Sequence, residues 1–147
     1  MGEEKKKVFV LDNAMHRPDA FRKFFEERKD WLTAIMPADM KQTLNMNQES
    51  DMKRVVEEIT DSGDCLVRLP NLMIADVSRN SNGRAFIDKV RLKLGRAMPP
   101  VIFLVSRCEK EIYEETAPEY YYLEKKGKDF FNPVELENLL LKIFPGG

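Results

Sequence analysis

With 147 residues, of which 43% are hydrophobic and 33% charged, the chain has the size and composition of one globular domain able to bury a continuous core. A formal net charge of -1 gives no bulk electrostatic reason to expect nucleic acid or an anionic membrane as partner. Two cysteines (Cys65, Cys108) and a single histidine (His16) argue against a disulfide framework or a zinc cluster, and a reducing cytoplasm is the expected compartment. No apolar stretch approaches a membrane span, and only four apolar residues follow the charged start, so neither a membrane helix nor a signal peptide is read.

Val8-Phe9-Val10-Leu11, closed by Asp12-Asn13, reads as the first buried strand. Pro18 suits the first turn of a helix, and Phe21, Phe24, Phe25, Trp31 and Leu32 follow at three- and four-residue intervals as its apolar stripe. Between Asp30 and Asn47 two stretches compete for a second strand, Trp31 to Met36 and Met40 to Met46, and Pro37 argues against one continuous element. Met36, Met40 and Met46 in this span are read as core filling. Met52, Val55, Val56 and Ile59 restore helical spacing, ended by Asp61-Ser62-Gly63-Asp64.

Leu72 to Ala75 is an apolar run too short for a helix; it stops at Asp76, and a polar loop leads to Gly83. Phe86, Ile87, Val90 and Leu94 mark the next helix, stopped by Gly95. Pro99-Pro100 introduces Val101 to Val105, the most strand-like run of all. A charged helix around Lys110 to Glu115 follows, ending near Pro118. Tyr120 to Leu123 reads as the last strand and Lys125-Lys126-Gly127-Lys128 as the loop after it. Asn132-Pro133-Val134-Glu135 has the form of a capping box, and Leu136, Leu139, Leu140, Ile143 and Phe144 give the final helix its buried stripe. The alternation predicts one α/β domain over residues 1–147. Its expected architecture is a doubly wound five-stranded parallel sheet, order 2-1-3-4-5, with helices on both faces.

In such sheets ligands bind at the carboxyl edge of the strands, near the switch point. Asp12-Asn13 and Asp76 are oxygen donors at two strand ends that would converge there. Two carboxylates, an amide carbonyl and a main-chain carbonyl of the loop suit Mg2+, which prefers a few hard oxygens and keeps several waters. A metal beside Asp76 would let its carboxylate attack phosphorus. Ser106 offers either a hydroxyl to a phosphoryl group or an N-cap to the next helix. Lys125 is either a cation for phosphoryl oxygens or a plain surface charge. Arg79 is either a surface residue or a cation standing in the pocket.

This constellation resembles the receiver domain of bacterial two-component response regulators, over nearly the whole chain. The resemblance rests on Val10-Leu11-Asp12-Asn13, on Pro70-Asn71-Leu72-Met73-Ile74-Ala75-Asp76, on Pro100-Val101-Ile102-Phe103-Leu104 and on Tyr122-Leu123-Glu124-Lys125. It implies that Asp76 accepts a phosphoryl group from a histidine kinase or phosphotransfer protein. It further implies that Asp12, Asn13, Asp76 and the Ser78 main-chain carbonyl hold Mg2+, that Lys125 contacts the phosphoryl oxygens and that Tyr122 is the switching aromatic. A downstream protein target is then the partner, and dimerisation through the last helices is a habit of the family.

The chain departs from that pattern at several places. Asn13 stands where a second carboxylate is usual. Val105 holds the usual hydroxyl position, with Ser106 one residue late. Lys126 replaces a proline, the loop before Gly83 is one residue short, and the span 30–47 is long by about a helix. Three functions follow. The first is a stand-alone phospho-receiver, expected to signal by docking to a partner unless the chain is an excised piece of a longer protein. The second is a pseudo-receiver serving as an interaction module without phosphoryl transfer. The third, a small α/β enzyme or nucleotide binder, ranks last, because no G-x-x-x-x-G-K-[ST] or G-x-G-x-x-G element and no credible Ser-His or Cys-His pair is present.

Overall fold

The first two legible strands lie side by side in parallel, and their register sets everything that follows. A computed structural model describes residues 5–12, 17–32, 47–60, 70–78, 82–126 and 130–145. Strand β1 (Val8–Leu11) pairs with β2 (Leu72–Asp76) from Val8↔Leu72 to Leu11↔Ala75, and every residue of both is buried. Strand β3 (Val101–Val105) pairs with β2, and β4 (Tyr121–Lys126) with β3, both parallel. Helices α1 (Arg17–Glu26) and α2 (Glu49–Thr60) lie between β1 and β2, α3 (Gly83–Leu94) between β2 and β3, and α4 (Arg107–Thr116) between β3 and β4. Helix α5 (Pro133–Ile143) closes the described chain.

The period of two along each strand sorts side chains into two cores. Phe9, Leu11, Met73, Ala75, Phe103, Val105 and Tyr122 face α2 and α3 through Val55, Ile59, Phe86, Ile87 and Val90. Val8, Val10, Leu72, Ile74, Ile102, Leu104 and Leu123 face α1 and α5 through Phe21, Phe24, Phe25, Leu136 and Leu140. Helices therefore cover both faces, as an α/β doubly wound sheet requires.

One correction concerns the sheet. Its fifth described strand is β5 (Phe130–Phe131), antiparallel to β4 through Lys125↔Phe131 and Lys126↔Phe130, so the sheet is mostly rather than wholly parallel. This hairpin also extends β4 to Lys126, past the predicted end at Leu123 and through what was expected to be loop. Phe131 explains the gain: its ring stacks on Phe21 at 4.2 Å and anchors the return to the α1 face.

The expected second strand falls mainly on residues 33–46, outside the described residues. What is described is a parallel bridge, Lys6↔Trp31, in which Lys6 N–H donates to the Asp30 carbonyl at 2.8 Å and Leu32 N–H to the Lys6 carbonyl at 2.9 Å. Leu72 N–H donates to the Lys7 carbonyl, so Lys6 turns its polar groups away from β2 and towards the outer edge. The chain thus reaches the side of β1 that the order 2-1-3-4-5 reserves for a second strand.

Helix ends follow local chemistry. Ser106 and Glu109 form a complete capping box at the start of α4. At α5 only half of the expected box forms. Asn132 accepts from the Val134 and Glu135 N–H groups, while the Glu135 carboxylate turns to the sheet and accepts from Glu124 N–H at 3.2 Å. Gly95, at φ 54°, stops α3.

Gly83 begins α3 against the end of β2. A Cβ there would collide with the Asp76 carbonyl oxygen and lie 3.0 Å from the Ala75 Cβ. Gly83→Ala is expected to lower stability by about 1–3 kcal/mol in urea unfolding, because backbone cannot yield as a flexible side chain would. A neutral or stabilising result would mean that α3 shifts freely.

Candidate functional site

Asp76 is the last residue of β2, on the face of Leu72 and Ile74. Asp12 follows Leu11 directly, and carrying the register one step past Leu11↔Ala75 sets it beside Asp76, one strand spacing or about 4.8 Å away. Lys125 lies on the same face of β4 as Leu123. Both carboxylates are buried, Asp76 at 4% exposure and Asp12 at 6%. Two buried carboxylates side by side are costly unless each has a countercharge and hydrogen bonds.

Each has both. The Lys125 Nζ stands 2.5 Å from Asp76 Oδ1. Ser78 N–H donates to the same oxygen at 3.1 Å, and the Ser78 hydroxyl donates to Oδ2 at 2.6 Å. Burial pushes the Asp76 carboxyl up, but the hydrogen bond and charge of Lys125 and the two bonds from Ser78 outweigh it. The net shift is below the ordinary 3.8, and the carboxylate is held ionised. Asp12 is matched by Arg17, whose Nη1 donates to Oδ1 at 3.3 Å and Oδ2 at 3.2 Å. Arg17 is the first residue of α1 and is itself 3% exposed.

The other expected site residues separate. Ser106 is not turned to a phosphoryl role here: its hydroxyl accepts from Glu109 N–H at 3.2 Å as the α4 cap. Val105, in the position where a hydroxyl was sought, is fully buried in the α2–α3 core. Tyr122 lies on that same face, opposite Lys125, and donates to the Ala117 carbonyl at 2.6 Å; burial pushes its phenol up to about 12. Asn13 and Arg79 lie outside the described residues.

Arg17 is the residue that sequence reasoning missed. An arginine two places before Asp19 in a charged helix reads as a surface group, and only the five-residue step back to Asp12 could have suggested otherwise.

The expected Mg2+ ligands can be tested against this geometry. Both Asp12 oxygens accept from Arg17, both Asp76 oxygens are engaged by Lys125 and Ser78, and the Ser78 carbonyl accepts from Asn82 N–H at 2.8 Å. Among the described residues no group of three or more His, Cys, Asp or Glu is placed to hold a metal ion. Asn13, the remaining expected ligand, lies outside the described residues.

A doubly wound sheet with an acidic basin and a lysine at its carboxyl edge defines the class of fold. Within it the chain is similar to the BeF3-activated receiver domain of nitrogen regulatory protein C, solved in solution. The two superpose with a TM-score of 0.59 and 14% identity over 96% of this chain and 95% of that one. The fold is therefore that of a receiver domain. No protein-family model matches the sequence, and no curated protein does. Among the described residues no helix is long and apolar enough to cross a membrane.

The Asp76 pair carries a pH signature. A carboxyl held below 3.8 adds stability that is complete above about pH 4 and is lost as pH falls through the folded-state value. Urea midpoints measured from pH 6 down should fall more steeply below pH 4 in the wild type than in Asp76→Asn. Parallel acid limbs would show that Lys125 and Ser78 do not hold the carboxylate.

Proposed function

We propose that the chain is a receiver-like signalling domain in which Asp76 accepts a phosphoryl group from the phosphohistidine of a kinase or phosphotransfer protein. The observation that carries this reading is the Asp76 carboxylate, buried at the sheet's carboxyl edge and paired with Lys125. In the transfer a carboxylate oxygen bonds to phosphorus, the P–N bond breaks, and the electron pair leaves with the imidazole, which takes a proton from solvent. Lys125 then exchanges a carboxylate oxygen for phosphoryl oxygens, as an ammonium on a flexible stem can.

The added charge would be read on β4, α4 and α5. Between these elements runs a groove of about 520 Å³, lined by Lys110, Tyr121, Tyr122, Glu135, Leu139 and Lys142 among others. Glu135 ties it together, reaching Glu124 N–H on β4 and Lys110 Nζ on α4 at 3.4 Å. A protein target docking here is the partner that this reading supports.

A second reading, a pseudo-receiver that docks partners without phosphoryl transfer, is favoured by buried Val105 and by the Arg17–Asp12 pair. Acetyl phosphate and beryllofluoride, each with and without Mg2+, separate the two. The phospho-receiver should gain one adduct by intact mass, with amide shifts at Val77 and Ser78, and Asp76→Asn should gain none. No adduct under any of the four conditions leaves the pseudo-receiver.

A further inference from the structure

We propose that the groove between α2 and α3 receives the outer face of α4 from a second copy of this chain, the two copies pairing reciprocally. Two surfaces away from the Asp76 basin carry the inference. The first is a dent of about 240 Å³ between α2 and α3, lined by Glu49, Lys53, Val56, Lys89, Leu92 and Lys93. Leu92 is 86% exposed, the highest value among the large apolar side chains described. Lys89 and Lys93, one helical turn apart, are both exposed beside it. No Asp or Glu occurs in the sequence from Lys89 to Cys108, while Lys89, Arg91, Lys93 and Arg96 all do. This end of α3 is an aliphatic side chain set among cations.

The second surface is its complement. Helix α4 carries Glu109, Glu111, Glu114 and Glu115 within ten residues. Ile112 is 62% exposed, with Glu111 and Glu115 exposed around it. The helical step of about 100° per residue sets Ile112 on the far side of α4 from Lys110 and Glu114, which line the groove towards α5. Ile112 is thus free of that groove, an aliphatic side chain set among carboxylates. A lysine-rimmed dent holding Leu92 and Val56 fits such a helix in both charge and apolar content. An anionic membrane would meet the lysines without filling the dent, and a nucleic acid would leave Leu92 uncovered.

The two surfaces also lie on one side of the molecule. Helices α2 and α3 cover the sheet face of Phe9, Leu11 and Phe103, and α4 joins them there through Tyr113. Two copies laid face to face about a twofold axis can therefore each offer α4 to the other's groove, which closes the assembly at a dimer. The pairing does not depend on phosphoryl transfer at Asp76.

Sedimentation equilibrium of the full chain tests it, up to millimolar concentration. Wild type should show a monomer–dimer equilibrium that weakens as salt rises from about 0.1 M to about 1 M. Leu92→Glu and Ile112→Lys, both at exposed positions that the fold does not need, should each weaken it about tenfold or more. A mixture then separates this pairing from any other. The 15N-labelled Ile112→Lys protein keeps an intact groove. Unlabelled Leu92→Glu protein, whose α4 is intact, should shift its Val56, Lys89 and Lys93 amides saturably, and unlabelled Ile112→Lys protein should not. A monomer at millimolar concentration, a dimer indifferent to both substitutions, or a mixture without those shifts overturns the proposal. So does a monomer that binds phosphatidylglycerol vesicles through Leu92, which would give the surface to a membrane.

Discussion

The site depends on the parallel pairing of β1 with β2. Because a helical crossover returns the chain to the same end of the sheet, consecutive parallel strands all deliver their last residues to one edge. The two-residue period then decides which face those residues occupy. Val8, Val10 and Asp12 share one face, as do Leu72, Ile74 and Asp76, so a register that aligns Val8 with Leu72 also aligns the two carboxylates. A slip of one residue would send one of them into the apolar core under α2 and α3. Burial of Val8, Val10, Leu72 and Ile74 against α1 and α5 is what prevents that slip.

Once the carboxylates are adjacent, the remaining polar features of the edge follow as compensation. Lys125 comes from β4, Arg17 from α1 and Ser78 from the loop after β2, so three separate segments converge on two buried anions. β4 carries a second burden. Lys125 points into the basin while Tyr122, three residues earlier, points into the opposite core with its hydroxyl on the Ala117 carbonyl. Glu124 N–H between them is bound by Glu135 of α5. One strand therefore touches the basin, the aromatic core and the groove at once.

Much of this was legible in the sequence. Uninterrupted apolar runs mark β1 and β3 at their observed bounds, since strands buried on both faces show no alternation to misread. The stop of such a run at a carboxylate picked out Asp76. What was illegible depended on partners distant in the chain. β5 is two phenylalanines long and exists because β4 extends to meet it. Glu135 has the spacing of a capping box but finds a stronger claim in the Glu124 amide. Arg17 looks like any helix-surface arginine until Asp12 is placed beside it. Ser106 offered two roles, and the box with Glu109 selects the cap.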